Sequence, residues 1–292
     1  MEFADQRKVN AGGVRVIAVA YFFGTIMSLL LLSALGVPMP TMPSDASRDQ
    51  IVILGFAGAL ALAVALYPLA RGVGGSRLRR LLTVFAFTYV AFAVINQLQA
   101  AVFSTLGGSG QLLAFHAIPC LLAAGAAAWL VQPADKASAC CTVFQDRPMS
   151  AWWWRPLVVL LALPCIEAVT GVTARPVLEE VIRQQPTGLH APGGAVVMAT
   201  MLLKSGLLLA VTVPVVLSWQ RSRRHLMLAL ATAILILTGL VGLLQAPWWP
   251  VSLRLVFSLQ ILVTSITYAA VVVLLFVPKG KKLAAELETS NQ

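Results

Sequence analysis

Residues 156–173 read Pro156-Leu157-Val158-Val159-Leu160-Leu161-Ala162-Leu163-Pro164-Cys165-Ile166-Glu167-Ala168-Val169-Thr170-Gly171-Val172-Thr173. One acid interrupts a run that is otherwise apolar and long enough to cross a bilayer, which takes roughly 17–25 residues. The next apolar run, Gly194–Ser218, carries one base, Lys204. An ionisable side chain at membrane depth is costly and normally faces a protein interior or a wet cavity. These two runs are consecutive and antiparallel, so the pair of charges can meet inside the hairpin they form.

Six further runs have the same character: Val14–Gly36, Ile51–Ala70, Leu81–Phe103, Gln111–Val131, Leu226–Ala246 and Ser252–Val277. Of 292 residues, 59% are hydrophobic and 11% charged, whereas a soluble domain carries about 25% charged residues. Backbone groups in lipid must be paired internally, so the runs are helices or closed-barrel strands. They are continuous in Leu, Ala and Val, not alternating over the roughly 10 residues of a barrel strand. The expected fold is an all-α polytopic membrane protein with eight transmembrane helices. Arg7, Lys8 and Arg15 around the start of the first run resemble a signal peptide, but the apolar stretch exceeds the usual h-region of about 7–15 residues. It reads as an uncleaved first helix.

The loops divide by charge. With the N-terminus inside, sixteen Lys and Arg residues fall on the inner side, and only Arg48, Arg175, Arg183 and Arg254 fall on the outer side. This asymmetry predicts cytoplasmic termini in a cell membrane, with a bacterial inner membrane preferred. The net charge of +10 is carried by short loops, which argues against nucleic acid as a partner. The expected partners are the lipid bilayer and a cytoplasmic or membrane protein. Trp152, Trp153, Trp154 and Trp219 at inner ends, and Trp248 and Trp249 at an outer turn, read as interfacial anchors. Cys120 and Cys165 lie in spans and Cys140-Cys141 in a loop, with no metal-site or disulfide spacing. No phosphate-binding glycine loop occurs, no two histidines share a span, and no cofactor or metal is expected.

Pro68, Ser76, Arg77, Leu98, Gln99 and Ala100 recur 146 residues later as Pro214, Ser222, Arg223, Leu244, Gln245 and Ala246. The match suggests two four-helix halves, 1–131 and 156–292, joined by a cytoplasmic linker, 132–155. Halves with an even number of spans share one orientation, which predicts a parallel repeat about an axis along the membrane normal.

Helical rise places Glu167 about 9 Å below the outer end of its span and Lys204 about 15 Å deep. Asn96, Gln99, His116 and Gln260 fall at comparable depth. Each alone reads as interhelical glue. Together they suggest a polar chamber toward the outer side, with Glu167 and Lys204 supplying charge. After the fifth span, residues 174–186 predict a short interfacial helix opened by Pro176. Val177, Leu178, Val181 and Ile182 form its apolar face, and Glu179 pairs with Arg183 at i,i+4. Glu179, Glu180 and Arg183 would form a lid over the chamber.

Glu179-Glu180 with Arg183 looks like the paired-glutamate motif of CAAX-type intramembrane proteases. That family puts three residues between Glu and Arg where this chain has two, and its later histidine motifs are missing here. Ser109 and His190, in Gly-rich loops, are similar to the rhomboid Ser–His dyad, without that family's His-x-x-x-Asn in the second span. The sequence therefore favours a transport or permease-like membrane component without catalytic residues. Such a component would bind a small polar or amphipathic solute, or a lipid headgroup. A non-catalytic subunit scaffolding a larger complex is the second reading, and an intramembrane hydrolase the third.

Overall fold

A computed structural model describes residues 11–37, 48–104, 110–133, 152–184, 192–244 and 249–277. Among them are eight helices long and apolar enough to cross a membrane. They are α1 (Ala11–Ala34), α2 (Arg48–Gly72), α3 (Arg77–Phe103), α4 (Gly110–Leu130), α5 (Trp154–Gln184), α6 (Gly194–Leu217), α7 (Arg223–Leu244) and α8 (Val251–Phe276). The polytopic all-α architecture expected from hydropathy is the one observed. Large apolar side chains such as Val19, Phe23, Leu30, Val169 and Leu274 point outward, as lipid contact requires. Ser109, His190, Cys140, Cys141, Gln245 and Trp248 lie outside the described residues.

Helix α1 packs on α4 and α2, and α5 packs on α8 and α6. Helix α3 lies against α4, and α7 against α8. Across the middle, α2 meets α7, α3 meets α6, and α3 touches α7. Small residues let the backbones close up, as in membrane helix pairs generally. A Cβ added to Gly24 of α1 would lie 2.5 Å from the Cα of Pro119 in α4.

The connections α2–α3 and α6–α7 meet at one end of the bundle in an isolated antiparallel bridge between Val73 and Trp219. The Gly74 N–H donates to the Ser218 carbonyl at 2.7 Å, and the Gln220 N–H to the Gly72 carbonyl at 2.8 Å. Gly72 is required here because a Cβ would fall 2.1 Å from the Trp219 ring. Gly75, at φ +105°, turns the chain through a region that suits glycine. Trp219 is buried at 1% exposure, so it is a core residue and not the interfacial anchor the sequence suggested. Arg71, Arg77, Arg79, Arg80, Arg221, Arg223 and Arg224 all lie in these connections or in the helix turns beside them, which make this the basic end of the bundle.

Helices α3 and α7 each contain a π-helical stretch, Tyr89–Val94 and Ile236–Leu240. A π-bulge loosens the i→i−4 ladder and often marks a functional place. Helices α2 and α6 each contain a proline, Pro68 and Pro214. Ser76 and Ser222 precede α3 and α7 with the same extended backbone, at φ −62° and ψ 156° and at φ −60° and ψ 156°.

The short interfacial helix expected after span five does not exist as a separate element. The helical segment is there, but it is the end of α5, which runs unbroken for 31 residues. Pro176 removes only one ladder bond, and the Arg175–Glu179 ion pair at 2.6 Å straddles it. Ala174 and Val181 are buried one face apart by seven residues, with Val177 and Leu178 half-buried between them. This stripe continues the packed face of α5. A 31-residue helix is about 46 Å long against a hydrocarbon core of roughly 30 Å. Its charged last turns therefore project beyond the core along the axis.

Candidate functional site

Glu167 of α5 and Lys204 of α6 meet in an ion pair, Nζ to Oε1. Both side chains are 9% exposed. Position explains the meeting. Glu167 follows Pro164 by three residues on the inward face of α5, and Lys204 adjoins Ser205 on the inward face of α6. The Ser205 hydroxyl donates to the Val159 carbonyl at 3.2 Å, a second tie across the same helix pair.

Burying two charges costs several kcal/mol each, and mutual attraction offsets this only with good geometry and further hydrogen bonds. Here the bonding is incomplete. Lys204 carries three N–H groups, and among the described residues its only polar partner is Glu167 Oε1. No other described group bonds the second carboxylate oxygen or the remaining ammonium hydrogens. Nearby hydroxyls serve their own helices. Thr170 donates to the Ile166 carbonyl at 2.9 Å, and Thr200 to that of Val196 at 2.8 Å.

The remaining sequence candidates do not join this pair. The Asn96 amide donates to the Leu237 carbonyl at 3.0 Å. Leu237 lies in the π-helical stretch of α7, where a displaced ladder leaves carbonyls open to side chains. His116 packs edge-on against Phe92, with ring centroids 4.9 Å apart, and its Nδ1 is buried without a hydrogen bond among the described residues. Gln99 and Gln260 are half-buried on α3 and α8. The lid charges pair differently from expectation. Glu179 binds Arg175, while Arg183 binds Glu180 at 2.9 Å. All four are at least half exposed, so these pairs add roughly 0–1 kcal/mol each.

Two features escaped the sequence reading. One is a set of buried hydroxyls nearer the basic end: Thr212 of α6 and Thr264, Ser265 and Tyr268 of α8. Those of Thr264 and Ser265 have no hydrogen bond among the described residues, while the Tyr268 and Thr212 hydroxyls lie close enough to interact with each other. The i, i+1, i+4 spacing on α8 was the available signal. Buried polar groups are normally satisfied by protein or ordered water, so this cluster suits water or a polar guest. The other is Arg80, counted by sequence with the solvent-facing loop bases. It is buried, and its guanidinium donates to the carbonyls of Ala70 at 3.0 Å, Ala128 at 2.9 Å and Val131 at 2.7 Å. A longer bond reaches Ala127 at 3.4 Å. It closes the C-terminal ends of α2 and α4, where unpaired carbonyls and the helix dipole favour a cation.

Compared with known protein families, curated proteins and solved structures, the chain matches none.

Proposed function

We propose that the protein is an integral membrane transport or permease-like component, in which the Glu167–Lys204 pair binds a small polar or amphipathic solute or a lipid headgroup. The observation that carries the reading is the half-used pair. A purely structural lock would have its remaining oxygen and N–H groups satisfied by the protein, whereas this pair makes one bond and no other among the described residues. A zwitterion or a carboxylate could insert there, taking over bonds that the two side chains now share. The buried hydroxyls of Thr212, Thr264, Ser265 and Tyr268 offer further polar partners between the pair and the basic end.

Two features of the setting belong to the same proposal. The basic end is cytoplasmic, in keeping with the charge asymmetry of the loops, and the membrane is a bacterial inner membrane. The halves 1–131 and 156–292 are duplicated copies related by a twofold axis along the membrane normal. Support comes from Val73 and Trp219, which stand 146 residues apart and bridge each other. Their two hydrogen bonds interchange under the same offset: Gly74 to Ser218, and Gln220 to Gly72. The offset also superposes the prolines of α2 and α6 and overlays the π-helical stretches of α3 and α7. Under it, Glu167 and Lys204 correspond to Tyr21 and Gly58. The charged site is thus peculiar to the second half, and the first half acts as its scaffold.

The test is uptake into proteoliposomes holding the full chain, using a panel of radiolabelled amino acids, carboxylates and amines. At least one class should accumulate above empty vesicles, and Glu167→Gln and Lys204→Met should each abolish it. Flux that survives both substitutions refutes the site, and no flux of any class refutes transport.

The exposed Arg77, Arg79 and Arg224 at the basic end favour the second reading, a scaffold docking an acidic partner. Co-purification of a protein partner that is lost when Arg79 and Arg224 are neutralised would support it.

A further inference from the structure

At the basic end, a cavity of about 120 Å³ opens between α2 and α7 where α6 ends. Its lining includes Pro68, Trp219, Arg221, His225, Leu228 and Thr232. Arg221 is half-buried and stands close enough to Arg71 for the two positive charges to oppose one another. Burial and that like charge both push its pKa down. Arg71 lies with its guanidinium 6.0 Å from the Tyr67 ring centroid. Among the described residues neither arginine has an ion pair, because the described carboxylates are Asp49, Glu167, Glu179 and Glu180, all on other parts of the fold. His225 Nδ1 shares a hydrogen bond with the Ser222 hydroxyl at 2.7 Å. With that hydroxyl donating, the neutral ring carries its proton on Nε2 as a further donor. The first turn of α7 adds unpaired N–H groups and the positive end of its dipole.

A guanidinium and an imidazole lining the cavity, with the Arg71 charge near enough to act on Arg221 and no described carboxylate opposing either arginine, call for an anion. Arginine forks match phosphate oxygens in geometry. The apolar surroundings decide which phosphate. Leu228, at the cavity mouth, is 60% exposed. Val64 and Leu60, four and eight residues before Pro68, are also exposed on α2. They form an apolar track from the cavity toward the bilayer centre, suited to an acyl chain. Basic pockets between transmembrane helices at a membrane surface hold anionic headgroups in this way.

We propose that this cavity binds the headgroup phosphate of an acidic phospholipid, with Arg221 and Arg71 holding the anion and the Leu60–Val64 track and Leu228 flanking an acyl chain.

Native mass spectrometry of the purified full chain tests this, with phosphatidylglycerol titrated against phosphatidylcholine. Inorganic phosphate and glycerol phosphate serve as soluble competitors. The wild-type chain should retain phosphatidylglycerol in preference to phosphatidylcholine. Arg221→Gln should weaken retention by about fivefold, the effect of one surface arginine on an anionic lipid. Leu228→Trp, at an exposed position, should block the mouth without unfolding the bundle. Arg79→Gln should leave retention unchanged. An equal loss in Arg79→Gln and Arg221→Gln would overturn the site in favour of diffuse charge attraction. Displacement of the lipid by millimolar inorganic phosphate would overturn the lipid assignment. Unchanged retention in both Arg221→Gln and Leu228→Trp would overturn the cavity as the place of binding.

Discussion

Glu167 and Lys204 form a buried ion pair through one carboxylate oxygen, in a helix pair otherwise tied by the Ser205–Val159 hydrogen bond. Removing either charge alone leaves the other buried without a partner. Glu167→Leu and Lys204→Met are each expected to destabilise the fold by about 3–5 kcal/mol. The double replacement should recover most of that loss. A double-mutant cycle on detergent unfolding curves checks this, and full additivity of the single effects would show that the charges do not interact. Flux should stay absent in the recovered double variant, which separates a working pair from a merely structural one.

Trp219 fills the space over Gly72, and no rearrangement is open to a fully buried indole. Gly72→Ala is therefore expected to cost about 1–3 kcal/mol through overpacking. Gly55→Ala, where an added Cβ meets nothing within 4 Å, should be near neutral or slightly stabilising in its helix. Thermal loss of helicity in detergent compares the two, and equal midpoints would refute the close approach.

The Asn96 amide reaches across to Leu237 within the π-helical stretch of α7. Asn96→Leu should cost about 0.6–2 kcal/mol and speed hydrogen exchange around residues 236–240. Exchange rates unchanged at those amides would mean that the bulge stands without the contact.

Orientation is open to direct chemistry. In a background with the native cysteines replaced, Arg183→Cys should react with a membrane-impermeant maleimide in intact cells. Arg79→Cys should react only after permeabilisation. The reverse pattern would invert the proposed topology.

Hydropathy made the eight helices legible because lipid imposes one demand on every span, internal backbone pairing together with an apolar surface. The Glu167–Lys204 contact was legible for a related reason, since consecutive antiparallel helices leave few other places for two deep charges. The end of α5 was misread as a separate helix because Pro176 and the acids after it resemble a helix start. In place, they continue a helix that has already left the hydrocarbon, and Arg175 pairs with Glu179 across the proline. Trp219 was misread because an indole near a helix end usually marks the interface. Only the tertiary meeting of two distant turns puts it in the core. The hydroxyls of Thr212, Thr264, Ser265 and Tyr268 were overlooked because Ser and Thr barely depress the hydropathy of a span.

Arg80 carries a mechanical consequence. Its guanidinium clamps carbonyls of α2 and α4 from a position on α3, and bonds to a charged group are worth roughly 1.5–3 kcal/mol each. Sliding any of these three helices along its neighbours means breaking several such bonds together. The three helices are therefore riveted together at the basic end of the bundle. Under the proposed duplication the position matching Arg80 is Leu226, an apolar side chain with no such donor.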